Sequence, residues 1–319
     1  MERSEQIIGG IIGLLIGDAV GVPYEFHEPQ SLPPIELLEM NPPVGFQRSH
    51  QGTPVGTWSD DGALALCLLA SLLDSPKEAG FRQRNRLDPD DLGRRFVDWY
   101  RSGYLAVDNR VFDVGIRTAS AIFAIESGTP SLLAGITSKQ ARGNGSLMRS
   151  LPLALWHQGS DSELITDAHL QSQVTHGDPY CQICCALYCL WARYTLDRIP
   201  DPWHTASTIL RSVYRSTNPD FLDILDWAIR PDDLSAGKGS GYVIDSLRSA
   251  RMVMENDSYE LVIKHAIALG KDTDTTACIA GGIAGIRDGV ESIPDRWRRQ
   301  LRGQEIFQPL LDRLLLHRS

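Results

Sequence analysis

Strand signals are sparse along this chain, so a sheet-based architecture is not expected. An excess of basic residues is also missing. The 319 residues carry 31 Lys and Arg against 40 Asp and Glu, a formal net charge of −9. A surface of that sign has no general affinity for nucleic-acid backbones or anionic lipid. A small anionic ligand is still compatible with it, because metals and backbone N–H groups do not register in net charge. No basic segment precedes the apolar run from Ile7 to Ile16: the chain opens Met1-Glu2-Arg3-Ser4-Glu5, and Asp18 closely follows the run. It therefore reads as neither a signal peptide nor a membrane span. With no internal repeat or low-complexity tract, and with 42% hydrophobic residues, one domain over residues 1–319 is expected.

A second cysteine pair at zinc-ligand spacing, to match Cys181-x-x-Cys184, is absent. Four of the six cysteines crowd into Cys181, Cys184, Cys185 and Cys189, spaced as neighbours on a helix, and His176 is the one imidazole nearby. Small apolar core filler is the better reading than zinc or redox chemistry. With the missing leader, this points to a reducing cytoplasm. A Walker A loop is absent too, since Gly237-Lys238-Gly239-Ser240-Gly241-Tyr242 lacks the earlier glycine and the hydroxyl after Gly-Lys. That stretch reads as a flexible loop ahead of a helix from Val243 to Glu255.

What the chain does have is two polar knots opening apolar helices. Gly270-Lys271-Asp272-Thr273-Asp274-Thr275-Thr276 runs into a segment with small residues at four-residue spacing, through Gly281, Gly282 and Gly285. Taken singly, it serves equally well as a helix cap or as hard oxygen ligands for Mg²⁺, Mn²⁺ or Ca²⁺. Trp58-Ser59-Asp60-Asp61-Gly62 repeats the chemistry ahead of an apolar helix from Ala63 to Leu73. Finding the pattern twice makes capping alone improbable.

Gly9, Gly13 and Gly17 also fall four residues apart on a first helix. Glycine costs helix stability, so such a face signals a closely approaching backbone. Asp18 and Glu25 end this segment as capping or surface carboxylates. The long Pro- and Gly-rich stretch from His27 to Thr57 reads as a functional loop, with one short helix at Ile35 to Met40. Further helices are expected from Pro89, with Leu92, Phe96, Trp99 and Tyr100 facing the core, and at Val114 to Glu126, His204 to Tyr214 and Phe221 to Ile229. A packing or oligomer helix is expected at Ile306 to Leu316. Arg142-Gly143-Asn144-Gly145-Ser146-Leu147-Met148-Arg149 reads either as a plain turn or as an anion cradle. The expected fold class is all-α.

Taken in order, Gly17-Asp18-Ala19-Val20-Gly21 with Glu25, Ser59-Asp60-Asp61, Gly143-Asn144-Gly145-Ser146-Leu147-Met148-Arg149, Thr175-His176-x-Asp178-Pro179, Gly241-Tyr242 and Asp272-Thr273-Asp274-Thr275 resemble the ADP-ribosylglycohydrolase family. The resemblance spans nearly the whole chain. It implies a compact orthogonal helical bundle and a centre of two Mg²⁺, with Mn²⁺ an alternative, held by Ser59, Asp60, Asp61, Asp272, Asp274 and Thr275. It implies that Glu25 is an acidic residue on a flap, that Asn144, Gly145, Ser146 and His176 line an ADP-ribose cleft, and that Tyr242 contacts the nucleotide end. The proton-handling carboxylate would be Glu25 or Asp61. The implied activity is metal-dependent cleavage of the bond between ADP-ribose and an acceptor, with ADP-ribosylated protein as partner and arginine favoured as acceptor. A catalytically silent ADP-ribose-binding protein and a hydrolase of another ADP-ribose conjugate or small N-glycoside are the alternatives. The protein is expected to be a monomer or weak dimer.

Overall fold

The computed structural model describes residues 1–75 and 87–318. In chain order the α-helices are α1 (Arg3–Gly21), α2 (Asp60–Asp74), α3 (Pro89–Ser102), α4 (Ile116–Glu126), α5 (Ser131–Ala134), α6 (Leu151–Trp156), α7 (Asp161–Gln173), α8 (Pro179–Leu196), α9 (Pro202–Thr217), α10 (Pro219–Ile224), α11 (Val243–Val253), α12 (Tyr259–Ala268), α13 (Thr273–Asp288), α14 (Asp295–Gln300) and α15 (Gln304–Arg318). Among the described residues there is no strand. Two isolated bridges, Ile136 with His176 and Gly143 with Tyr242, are the nearest thing to one. The fold is all-α, as the sequence pattern indicates.

The centre of the structure is the antiparallel pair α1 and α13. Gly9 faces Gly285, Gly13 faces Gly281, Gly17 faces Ala277 and Gly21 faces Asp274. A methyl group on Gly13 would lie 2.5 Å from the Gly281 carbonyl oxygen, so the two backbones touch and no larger residue fits. Bonds from Tyr259 Oη to Gly13 O (2.7 Å) and from Thr273 Oγ1 to Gly21 O (2.8 Å) lock the register. By length and composition the segment Arg3–Tyr24 could cross a bilayer, but 89% of its apolar window is buried by the rest of the chain. Antiparallel packing also brings the end of α1 beside the start of α13, which is where the acidic residues are.

Asp18 is neither on the surface nor a cap of its own helix. It is fully buried and accepts hydrogen bonds from the backbone N–H of Ser59 (2.9 Å) and Gly62 (2.8 Å), so α1 caps α2 from outside. Gly62 is required by packing, because a Cβ there would come within 2.8 Å of the Trp58 ring and 2.9 Å of Leu15.

Around this frame α8 packs with its cysteines inward, and all six cysteines of the chain are buried and free. Helix α15 lays Leu310, Leu311 and Leu314 inward and ties Arg313 to Asp74 at the end of α2. Two local readings need correction. Helix α4 begins at Ile116 rather than Val114, because Gly115 has a non-helical backbone (φ −59°, ψ 135°) and stands as the residue before the helix. The loop at Gly237–Tyr242 is tied down rather than flexible: Asp245 accepts from the N–H of Lys238 and Ser240, Ser249 Oγ accepts from Gly239 N, and Gly239 O accepts from Asp272 N.

Candidate metal centre

Helices α2 and α13 start side by side. Ser59 caps α2 by accepting from Asp61 N (3.2 Å), which leaves Asp60 and Asp61 in the first turn, both buried. At α13, Asp272 is the residue before the helix and Asp274 Oδ1 accepts from Thr275 N (2.9 Å). Thr275 Oγ1 reaches Asp61 Oδ1 at 3.4 Å, so the two motifs touch. Asn144 holds the Asp272 carboxylate by donating from Nδ2 to Oδ2 (2.7 Å). Capping and convergence therefore occur together.

Crowding sets the electrostatics. Burial pushes the carboxyls of Asp60, Asp61 and Asp274 well above the ordinary aspartate range, and mutual repulsion adds to it. Asp272 is raised too, chiefly by burial. Asp61 Oδ2 and Asp274 Oδ2 are buried and have no hydrogen-bond partner. Orphaned carboxylate oxygens among other carboxylates and a threonine hydroxyl suit a hard divalent cation, which satisfies the lone pairs and removes the repulsion. The residues present thus fit the metal centre that the motifs imply.

Loops deliver the rest of the acidic wall, including two residues that the motifs did not reveal. Glu25 follows a short 3₁₀ turn, Val22–Tyr24, and is buried. Its segment is pinned to the second acidic motif by bonds from Phe26 N to Lys271 O and from Lys271 N to His27 O, both 2.6 Å, with Phe26 and Lys271 each at φ 63°. His50 Nε2 lies 2.6 Å from Glu25 Oε2, and 3.9 Å from Asp113 Oδ1. One ligand atom each of Glu25, His50, Asp113 and Asp274 lies within 4.8 Å of the others. Burial, then the charges of Asp113 and Asp272, pushes Glu25 up to about 11, and burial pushes Asp113 up to about 6. His50 is lowered by burial and by Arg110 and Arg48. His50 falls within the stretch read as a functional loop, but its spacing carries no signal, and neither does that of the lone acid at Asp113.

Most of these carboxylates floor a cavity of about 550 Å³, a size suited to a small molecule. Glu25, Asp60, Asp61, Asp113, Asp272 and Thr275 line its acidic end, and Gly143, Asn144, Gly145, His176, Ser240 and Gly241 line another wall. His176 is held neutral, its pKa lowered to about 3 by burial first and by Arg149. Its Nδ1 pairs with Thr175 Oγ1 at 2.8 Å. Fully buried Arg149 donates to Gly145 O (3.1 Å) from beneath the wall. Ser146, expected in the cleft, is instead behind that wall, wholly buried with its hydroxyl 2.9 Å from Ser172 Oγ. Tyr242, expected at the nucleotide end, is outside the lining and 41% exposed. Two cations, Lys271 and Arg117, line the cavity, and neither has an ion pair with a described residue.

The sequence profile of the ADP-ribosylglycohydrolase family matches residues 1–319. The ADP-ribosylarginine hydrolase Tri1 of Serratia proteamaculans is 28% identical, over 98% of this chain and 80% of its own length. An ADP-ribosyl-[dinitrogen reductase] glycohydrolase of Rhodospirillum rubrum is 25% identical, over 93% of this chain and 90% of its own. A solved structure described as an ADP-ribosylglycohydrolase-related protein complex superposes with a TM-score of 0.74 at 25% identity, covering 100% of this chain and 99% of that one. With the profile spanning the whole chain and the helices converging on one acidic cleft, this chain belongs to the ADP-ribosylglycohydrolase family, hydrolases that act on glycosyl bonds.

Proposed function

We propose that this protein is a metal-dependent hydrolase that removes ADP-ribose from a modified protein, with arginine as the favoured acceptor, and so reverses ADP-ribosylation. The observation that carries the reading is the pair of orphaned oxygens, Asp61 Oδ2 in the lining of a ligand-sized cavity and Asp274 Oδ2, wholly buried between the lining residues Asp272 and Thr275 in sequence. Asp60, Asp61, Asp272, Asp274 and Thr275 would hold two divalent ions, Mg²⁺ or Mn²⁺, with Ser59 at their edge. Bound there, the ions supply positive charge for the ribose hydroxyls and a water more acidic than bulk water.

The chain's own residues perform the remaining tasks. Arg117 and Lys271 are the cations available to a diphosphate, with the N–H groups of the glycine-bearing turn at Gly143–Gly145 beside them. Neutral His176 presents a polar ring edge without adding charge. Glu25, lining the cavity with its Oε2 2.6 Å from His50 Nε2, is placed to give a proton to the departing acceptor as an oxocarbenium-like transition state forms at the ribose C1. Asn144 keeps Asp272 oriented, and Asp61, tied to Thr275, acts as ligand rather than proton carrier. An acidic end facing the acceptor suits a guanidinium, and the relatives named as ADP-ribosylarginine hydrolases agree with that choice.

The test is incubation of the purified protein, with Mg²⁺ or Mn²⁺, against ADP-ribosylated arginine, serine and nucleic-acid substrates. Release of free ADP-ribose, fastest from arginine, is the expected result. Tight ADP-ribose binding with no release from any substrate would overturn the enzymatic reading. The proposed setting is the cytoplasm, and the proposed assembly a monomer or weak dimer.

A further inference from the structure

The end of α1 farthest from the acidic cleft borders a second cavity, of about 480 Å³. Arg3, in its lining, and Asp18 lie on that one helix, about 22 Å apart by the helical rise. Three guanidiniums, of Arg3, Arg193 and Arg318, line the cavity with His157, His317 and a single acid, Asp197. In a chain of net charge −9 this concentration of cations runs against the overall sign. Arg193 is fixed on two sides: Nη1 donates to Asp161 Oδ1 (2.8 Å), an acid outside the lining, and Nη2 donates to His157 Nδ1 (2.8 Å). Since His157 Nδ1 also accepts from Gly159 N, the imidazole keeps its proton on Nε2, toward Asp167, and supplies no negative charge. Arg3 pairs with Asp197 at 2.9 Å. Arg318 spends one N–H on His157 O (3.0 Å) and has no ion pair with a described residue. Burial, then the charge of Arg3, holds its pKa below the usual guanidinium range. Cations near helix C-termini complement the dipole, and Arg193 and Arg318 stand in the last turns of α8 and α15. That role does not account for Arg3, at the start of α1, where the dipole opposes a cation, and it gives Arg318 no counter-charge.

We propose that this cavity is an anion site for the phosphate group of a small molecule, held chiefly by Arg318 with Arg3 and Arg193 beside it. The guanidinium fork matches phosphate oxygens in geometry and charge, and the volume falls in the range of small-molecule sites. Two sources of the group fit, inorganic phosphate and an organic phosphate ester. A neighbouring apolar cavity of about 520 Å³ shares Arg3 and Arg318 as walls and adds Ile7, Leu315 and Leu316. An ester with an alkyl body would set its head in one chamber and its chain in the other. The site is independent of ADP-ribose hydrolysis and of the metal centre.

The experiment needs no turnover. Inorganic phosphate, glycerol phosphate and butyl phosphate are each titrated into the chelator-treated full chain at constant ionic strength, followed by calorimetry and by the side-chain ¹⁵N shifts of labelled histidine. The expected result is saturable binding that moves the imidazoles of His157 and His317. Arg318→Gln should weaken it about tenfold or more and Arg3→Gln severalfold, while Lys271→Gln, in the acidic cleft, leaves it unchanged. An ester that binds tighter than inorganic phosphate identifies the body of the ligand, apolar for butyl and polar for glycerol. Equal affinities identify the phosphate group alone, and either pattern upholds the site. No saturable binding, binding unchanged in folded Arg318→Gln and Arg3→Gln, or shifts confined to His50 and His176 would overturn it.

Discussion

The acidic cleft has two halves built in different ways. One half stands on helix starts: Ser59, Asp60 and Asp61 open α2, while Asp272, Asp274 and Thr275 open α13. There Ser59 and Asp274 accept from helix-start N–H groups, and the carboxylates beside them, Asp60, Asp61 and Asp272, line the cavity, so position follows from local chemistry. The other half stands on loops, where Glu25, His50 and Asp113 are held by distant partners and, at His50 and Asp113, by strained backbone. A helix start can be written in four consecutive residues. A loop position such as His50 depends on Glu25, Phe26 and Phe112 arriving from elsewhere.

The largest test removes ligands from the helix-borne half. Asp60→Ala and Asp274→Ala should each lower turnover by about 10³-fold or more while the far-ultraviolet circular dichroism stays native, because α2 and α13 have extensive apolar contacts of their own. Near-wild-type rates in either variant would reverse the ranking of the two halves. On the loop side, Glu25→Gln should lower kcat by about 10²-fold, the lower range for loss of a general acid, with KM little changed. A full rate would withdraw Glu25 from proton transfer.

The frame that joins the halves can be tested next. Gly13→Leu forces side-chain atoms into the Gly281 backbone. It should cost about 3 kcal/mol or more, read as a lowered midpoint in urea. A smaller loss is expected for Asp18→Asn, about 1–3 kcal/mol, since an amide replaces one of the acceptor oxygens that serve Ser59 and Gly62. An unchanged midpoint for Asp18→Asn would show that α2 does not need its external cap.

The gentlest test is pH. Asp113 and Glu25 have folded pKa values pushed up to about 6 and about 11, both chiefly by burial. Such groups bind more protons folded than unfolded between the two pKa values, so their contribution is complete below the unfolded value and is lost as pH rises through the folded one. Chelator-treated protein should therefore melt at lower temperature at pH 8 than at pH 5. Adding Mg²⁺ or Mn²⁺ should restore most of the difference at pH 8. A melting temperature that rises with pH after chelation would contradict the crowding described for the site.

Much of the fold was legible beforehand because helix signals are local. Asp88 capping α3 before Pro89, the stripe of Leu92, Phe96 and Trp99, and the glycine faces of α1 and α13 all appear where periodicity and capping residues indicate. The helix-start half of the site was legible for the same reason. Asp18 was misread because nothing near it in sequence tells that its acceptors serve another helix. Ser146 and Tyr242 fall outside the cavity lining, which the sequence does not foretell, since a turn's sequence does not say which side chains face the cavity and which face the wall behind it.

By itself, the amino-acid order determined that the chain is helical, that α1 and α13 need close neighbours, and that two acidic clusters begin buried helices. These follow from interactions within one or two turns. Only the tertiary structure decided that α1 runs antiparallel to α13, that the two acidic helix starts meet, and that His50 and Asp113 join Glu25 beside them. Those outcomes depend on backbone contact at glycines hundreds of residues apart and on paired bonds between the 25–27 and 271 segments, which exist only once the core has closed.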